Sequence, residues 1–276
     1  MEEFGHYNYS CCCCANCGSR SQFSQGEELT TISEPFVFGP AKWGSSSLFL
    51  TSGGTVTWSL VQSNFSGQPY EFDAPITNSG QQSLLRMAFQ RWQSVANIQL
   101  VEVADAANVN IRVGLDSIDG RFGVLAEAFS FFSGGRFVRS LIRFDTAENF
   151  TMVNSPPPTG SINFYTVALH EIGHSLGLGH EDDVVAIMNA SVNATNRNLT
   201  DITVDDIGGI QAIYGAASAS PPPPPPPPAE APPEIRVSVN TVSANEGNSG
   251  QTIFNFMITL SGALPTPVLV GLQTAN

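Results

Sequence analysis

His170-Glu171-Ile172-Gly173-His174-Ser175-Leu176-Gly177-Leu178-Gly179-His180 is the stretch that decides how this chain is read. It has the form H-E-x-x-H-x-x-G-x-x-H. His170 and His174 stand four residues apart, so on a helix both imidazoles project from one face, one turn apart. Two such rings can grip one zinc ion. Glu171 neighbours the first ring at a different angle, from which it can reach a water on the ion without binding the metal itself. Gly177 lets the chain leave the helix through a left-handed turn, and that turn brings His180 back as a third ligand. Three protein ligands leave a fourth position open, which marks a catalytic rather than a structural site. With residues treated as independent draws at this chain's composition, these five fixed positions would co-occur in about four chains per million of this length. Three of the chain's four histidines lie in the motif.

Eight residues after His180, Ala186-Ile187-Met188-Asn189 carries a methionine. The motif and this methionine together resemble the metzincin zinc proteases, which place a methionine in a tight turn beneath the ion. Residues 36–215 resemble the bacterial matrixin and serralysin-like branch of that group. Lys42-Trp43-Gly44 and Thr55-Val56-Thr57-Trp58-Ser59-Leu60 are similar to its opening and first strand. Ala88-Phe89-Gln90-Arg91-Trp92 resembles its first long helix, and Val109-Asn110-Ile111-Arg112-Val113 its central strand. Asp205 to Gly215, DDIGGIQAIYG, resembles the closing helix of matrixins. The resemblance implies an α+β fold: a twisted five-stranded sheet, long helices above a zinc cleft, and a small lower subdomain. It also implies a secreted zinc endopeptidase acting on proteins or peptides, with one catalytic Zn2+ on His170, His174 and His180. Glu171 is then the general base, Met188 the Met-turn residue and Gly177 the turn. The rival from another class is an adhesion or binding module on a catalytically degenerate metzincin scaffold. The intact Glu171 argues against it, because a purely structural zinc site has no use for that carboxylate.

Residue patterns agree with this outline independently. Leu84, Leu85, Ala88, Phe89, Trp92 and Val95 recur at helical spacing and form one apolar face. Ile98-Gln99-Leu100-Val101-Glu102-Val103 alternates as a half-buried strand does. Thr203 with Asp206 three residues later predicts a helix start close to a capping box, and Gly215 predicts its stop. Val124-Leu125-Ala126-Glu127-Ala128-Phe129 resembles the edge strand of the matrixin cleft, on which a peptide would add as an antiparallel strand.

The chain also departs from the animal matrixins. Those enzymes hold a second, structural zinc with histidines, whereas Glu127 and Arg143 stand at two of those positions here. A second zinc is therefore not expected. Asp119, Asp145 and Glu148 match places where the family binds calcium, and carboxylates suit that hard cation. Ala190 stands where serralysins carry a tyrosine that approaches the zinc.

The chain has 276 residues, 24 acidic against 11 basic, for a net charge of −13. Such a balance disfavours nucleic acid and anionic lipid as partners. No run of about twenty apolar residues exists, so no membrane span is predicted. Met1-Glu2-Glu3 opens an acidic segment without an apolar stretch, so secretion without a Sec signal peptide is expected. A monomer is expected.

All five cysteines lie in Cys11-Cys12-Cys13-Cys14-Ala15-Asn16-Cys17, within a segment 1–35 ahead of the protease-like region. Three readings stay open: a metal or redox tract, a disordered or lipid-modified tail, and an inhibitory pro-segment. Matrixin pro-segments offer the zinc a cysteine followed by glycine, and Cys17-Gly18 is the Cys-Gly pair here. Residues 216–233 include Pro221 to Pro228 and read as an extended polyproline spacer. Residues 234–276 carry two alternating strand patterns, 235–239 and 252–260, around a turn at 246–250. They resemble the start of a Calx-beta domain, an all-β sandwich that often binds calcium, with Glu246 as a candidate ligand.

Overall fold

The computed structural model describes residues 5–12, residues 36–217 except 69, 153–155 and 194–195, and short pieces between 237 and 260. Cys13 to Cys17, most of the proline-rich stretch and most of residues 234–276, Glu246 included, lie outside the described residues. The chain divides into two compact units, residues 1–220 and 221–276.

In the first unit the elements run β1 (Gly5–Cys12), β2 (Gly54–Leu60), α1 (Ser79–Gln93), β3 (Ile98–Glu102), β4 (Ile111–Asp116), β5 (Val124–Ser133) and β6 (Arg136–Asp145). Two short strands, β7 (Phe150–Thr151) and β8 (Ile162–Asn163), precede α2 (Phe164–Ser175) and α3 (Val204–Tyr214). In the second unit β9 (Val237–Val239) pairs antiparallel with β10 (Ile258–Leu260). Among the described residues no helix is long and apolar enough to cross a membrane.

Five strands form the expected sheet, in the order β5-β6-β4-β2-β3. All neighbours in it are parallel except β5, which runs antiparallel to β6. The central strand β4 is buried at Ile111, Arg112, Val113 and Asp116, as befits a parallel strand covered on both faces. A sixth strand was not expected from the sequence: β1 pairs antiparallel along the outer edge of β5. Its residues carry no clean apolar alternation, and its partner is more than a hundred residues away in the chain.

Helix α1 starts at Ser79, five residues before the apolar periodicity does at Leu84. Asn78 accepts hydrogen bonds from the Gly80 and Gln81 backbone N–H groups at 2.8 and 3.2 Å and caps a polar first turn that periodicity does not register. The apolar face then buries Leu84, Leu85, Ala88, Phe89 and Trp92, and Phe89 stacks on Trp58 of β2 at 4.1 Å between centroids. Trp92 Nε1 donates to the Leu169 carbonyl at 2.9 Å, which ties α1 to α2.

Helix α2 is buried on nearly every side. Its C-terminal end is held by two residues from distant segments. Trp43 Nε1 donates to the Ser175 carbonyl at 2.7 Å, Tyr214 of α3 donates its hydroxyl hydrogen to the Leu176 carbonyl at 2.8 Å, and the Trp43 N–H donates to that same hydroxyl. Lys42, the sole lysine of the chain, is buried beside them, its ammonium donating to the Trp43 and Thr51 carbonyls and lying 4.9 Å from the Tyr214 ring centroid. The opening Lys42-Trp43 pair and the closing tyrosine thus clamp the end of the helix that bears the motif.

Candidate metal centre

His170 and His174 project from one face of α2, as their spacing predicts, and both are buried. The helix ends at Leu176, and Gly177 follows at φ +102°, where an added Cβ would strike the Ala41 carbonyl. Glycine is therefore required there twice, for the backbone angle and for the space. The chain then turns and returns His180. The Nε2 atoms of His170 and His174 lie 2.8 Å apart, and those of His174 and His180 lie 3.1 Å apart. Among the described residues this is the one group of His, Cys, Asp or Glu side chains whose ligand atoms all lie within 4.8 Å of one another.

The proton inventory tests whether a metal fits. His170 Nδ1 lies 2.7 Å from the Ile187 carbonyl, and His174 Nδ1 lies 2.8 Å from the Leu178 carbonyl. A carbonyl oxygen only accepts, so each Nδ1 carries the hydrogen. Burial, and then His180, push the pKa of His170 down to about 3. Burial first, then the two other rings, hold His174 far below the usual histidine range, and burial also lowers His180. Neutral rings protonated at Nδ1 leave bare lone pairs on Nε2. Two bare nitrogens at 2.8 Å repel unless a cation lies between them. Zinc bonds of about 2.1 Å in tetrahedral geometry set nitrogens about 3.4 Å apart, a few tenths of an ångström beyond what is seen here. The donor set fits zinc.

Glu171 is fully buried, and both its carboxylate oxygens lack a hydrogen-bond partner among the described residues. Burial, and then the charge of Glu127, raise its pKa well above the ordinary value. A divalent cation beside it acts in the opposite sense and favours the ionised form.

Met188 sits beneath the centre in a buried turn. A Cβ at Gly173 would strike its sulfur, so the glycine inside the helix makes room for the turn. Asp206 of α3 holds that turn in place. One of its oxygens accepts from the Met188 N–H at 3.1 Å, and the other from the Ile187 N–H at 3.0 Å and the Thr203 N–H at 2.7 Å. Thr203 and Asp206 form the full capping box. A chain of bonds thus runs from α3 through Ile187 to His170. From the sequence Asp206 is legible only as a cap, because its second role reaches a residue 18 positions earlier in the chain. Asn189 and Asn196, which order that loop through Val184 and Ser191 carbonyls, also have no sequence signal beyond their residue type.

A cavity of about 20 Å³ touches His170 and is lined by Thr166, Val167, Ile187, Asn189, Val192 and Leu199 among others. A larger one of about 300 Å³ shares Thr166, Val167 and Val192 with it and reaches Phe122 and Arg197. Residues of the loop between Asn189 and Thr203 line both, Val192 and Arg197 the larger and Asn189, Val192, Asn196 and Leu199 the smaller.

Glu127 and Arg143, the two residues expected to stand in place of a second zinc, form an ion pair with each other. Arg143 also reaches Asp116 at 3.3 Å and the Tyr70 hydroxyl. Burial first, then its bond to Asp116, raise the pKa of Tyr70 to about 12. Asp119, Asp145 and Glu148 do gather on the 119–124 loop, but as acceptors for its backbone. Asp145 accepts from the Asp119, Gly120 and Ala147 N–H groups, Asp119 from the Val124 N–H, and Glu148 from the Phe122 N–H. They hold Phe122 at φ +67°, an angle a non-glycine residue rarely adopts. The second oxygen of Glu148 is buried without a partner among the described residues. Cys17 lies outside the described residues.

A mixed sheet under two packed helices, with three histidines converging on one point, defines a metal-binding α/β domain. Residues 55–215 match the family model described as Matrixin, so the chain belongs to the matrixin family. Metalloendoproteinase 1-MMP of Arabidopsis thaliana is 30% identical over 150 residues, 51% of this chain and 39% of that protein. Metalloendoproteinase 1 of Glycine max is 34% identical over 144 residues, 48% of this chain and 45% of that protein. Neutrophil collagenase of Homo sapiens is 28% identical over 199 residues, 70% of this chain and 40% of that protein. The chain spans less than half the length of these curated relatives. Family membership implies a catalytic zinc, and the three-histidine centre is its counterpart here.

Proposed function

We propose that this chain is a zinc-dependent endopeptidase whose metal is held by His170, His174 and His180 and whose general base is Glu171. The observation that carries the reading is the convergence of three imidazoles, with Nδ1 of His170 and His174 bound to backbone carbonyls, next to a buried carboxylate lacking a hydrogen-bond partner among the described residues. Bound zinc would supply positive charge that polarises the scissile carbonyl and acidifies a water. Glu171 accepts that water's proton at a carboxylate oxygen and returns it to the leaving amine nitrogen. The Ile187 and Leu178 carbonyls hold two of the rings in the orientation that presents Nε2.

The substrate is a protein or peptide, laid along Val124–Phe129 by main-chain hydrogen bonds, with a side chain directed to the cavities beside His170. One zinc is bound, since the Glu127–Arg143 pair takes the place of a second. Calcium on Asp119, Asp145 and Glu148 is a further part of the proposal, supported by the Glu148 oxygen that has no hydrogen-bond partner among the described residues. So are secretion, a monomeric state, the bacterial branch, and the boundaries 1–35, 36–215, 216–233 and 234–276 with a Calx-beta-like last segment. The full chain should cleave unfolded casein and stop when a zinc chelator is added. Cleavage that persists in the zinc-free protein would overturn the reading.

A further inference from the structure

The cavity of about 300 Å³ shares Thr166, Val167 and Val192 with the small one that touches His170, so it adjoins the metal centre. Its size suits one side chain of a bound peptide, at the lower end of the roughly 300–1,000 Å³ range of ligand pockets. The chain carries 24 acidic residues against 11 basic, yet among the described residues no Asp or Glu lines this cavity. Residues 152–163 and 189–200 supply most of its wall, and Arg197 is the single charged residue in those two segments. Arg197 is half-buried and reaches Pro157, another wall residue, whose carbonyl accepts from Nη2 at 3.5 Å. That long contact is the one bond its five N–H donors make among the described residues, and it forms no ion pair there. The neighbouring acidic groups are already engaged. Asp201 pairs with Arg91 at 2.6 Å, and the buried Glu148 accepts from the Phe122 N–H. Arg121, which donates to the Gly160 carbonyl at 2.9 Å and lies over the Phe122 ring, offsets the Glu148 charge.

We propose that this cavity is a specificity pocket for an acidic side chain of the substrate, with Arg197 as the residue that recognises its carboxylate. The inference rests on the peptidase reading and names the class of peptide that the site selects. A guanidinium with uncommitted donors presents a planar fork that matches a carboxylate with two parallel N–H···O bonds. Phe122, Val167 and Val192 supply apolar wall for the methylene groups of a Glu side chain. A Gln of the same length offers the fork one neutral oxygen in place of two charged ones. The preference for Glu over Gln is then about tenfold, between the few-fold effect of an exposed ion pair and the roughly hundredfold effect of a buried charged hydrogen bond. Added salt screens a half-buried pair in part, so the preference falls with ionic strength.

The test gives the full chain matched pairs of peptides that differ only by Glu or Gln, placed at each position in turn. All carry C-terminal amides, so the varied side chain is the only carboxylate that changes. At one position the Glu member should be cleaved with a kcat/KM about tenfold higher. In Arg197→Gln that ratio should fall to about one, and Arg197→Lys should retain part of it, because a point charge replaces the fork. If Arg197 only supports the loop, Arg197→Gln lowers both members of a pair alike and leaves the ratio standing, which would overturn the proposal. So would a ratio near one at every position in the unaltered chain. Binding of the same pairs to the full chain with Glu171→Ala, read by fluorescence anisotropy, needs no turnover and should show the same preference. If the unaltered chain cleaves none of the peptides, the peptidase reading fails, and anisotropy still decides whether the pocket selects the acid.

Discussion

Two clusters of metal-ligand residue types lie in this domain, and they are built on opposite principles. At the end of α2, three histidines turn toward one another: the Nδ1 atoms of His170 and His174 are engaged by backbone carbonyls, and the Nε2 atoms of all three face a common point. In the 119–148 region, three carboxylates turn toward backbone N–H groups and are largely satisfied by them. The first arrangement is repulsive without a cation. The second is engaged without one, because backbone N–H groups already donate to each of the three carboxylates. Residue type alone therefore does not make a metal centre. What counts is where the protons and lone pairs are committed.

The sharpest way to break this contrast is Glu171→Ala. It should retain zinc and fold, yet lose at least about a hundredfold in peptidase rate, as general-base removal does. Turnover like that of the wild type would remove Glu171 from the reaction. Next in size is Asp206→Asn, which weakens the acceptor that holds Ile187 and Met188. Zinc affinity, read by chelator competition, should fall about 10- to 100-fold, as with other outer-shell partners of a ligand histidine. Thr203→Ala serves as the control. It removes the hydroxyl of the same helix cap but leaves the turn's two bonds to Asp206 in place, so an equal loss of affinity there would assign the effect to helix stability alone.

A smaller effect concerns pH. In the metal-free protein the folded state keeps His170 neutral down to about pH 3, while the unfolded chain takes up a proton near its ordinary value of 6.5. Between those limits the unfolded state binds more protons, so stability should fall as pH drops from 6.5 toward 3. Urea midpoints at pH 7.5 and 5.0, both with chelator, measure this, and a higher midpoint at pH 5.0 would contradict the buried neutral ring. The smallest effect belongs to the acidic cluster. Calcium that binds only the folded state raises stability by mass action, about 2.7 kcal/mol at a hundredfold excess over its Kd. A melting temperature indifferent to millimolar calcium would leave Asp119, Asp145 and Glu148 as loop anchors only. Metal analysis of the same samples should return one zinc per chain, and two would break the assignment of Glu127 and Arg143.

Much of the centre was legible because its information is local. The i, i+4 histidines, the glycine after the helix and the returning histidine all lie within eleven residues, and helix geometry converts that spacing into a shared face. The capping box of α3 was legible for the same reason, since Thr203 and Asp206 are three residues apart. The apolar periodicities of α1 and β3 followed from burial on one face. The first turn of α1 did not, because a polar turn carries no hydrophobic period and its cap is read only from hydrogen bonds.

By itself, then, the sequence determined which three histidines converge, the mixed helix-and-sheet character of the fold and the family, all of which rest on short-range spacing and hydrophobic period. Only the tertiary structure decided that Asp206 reaches across to the methionine turn, that Trp43 and Tyr214 clamp the end of α2, that Glu127 pairs with Arg143, and that β1 closes the edge of β5. Each of these joins residues from separate segments. No local pattern encodes such pairings, because their partners are chosen by how the whole chain packs.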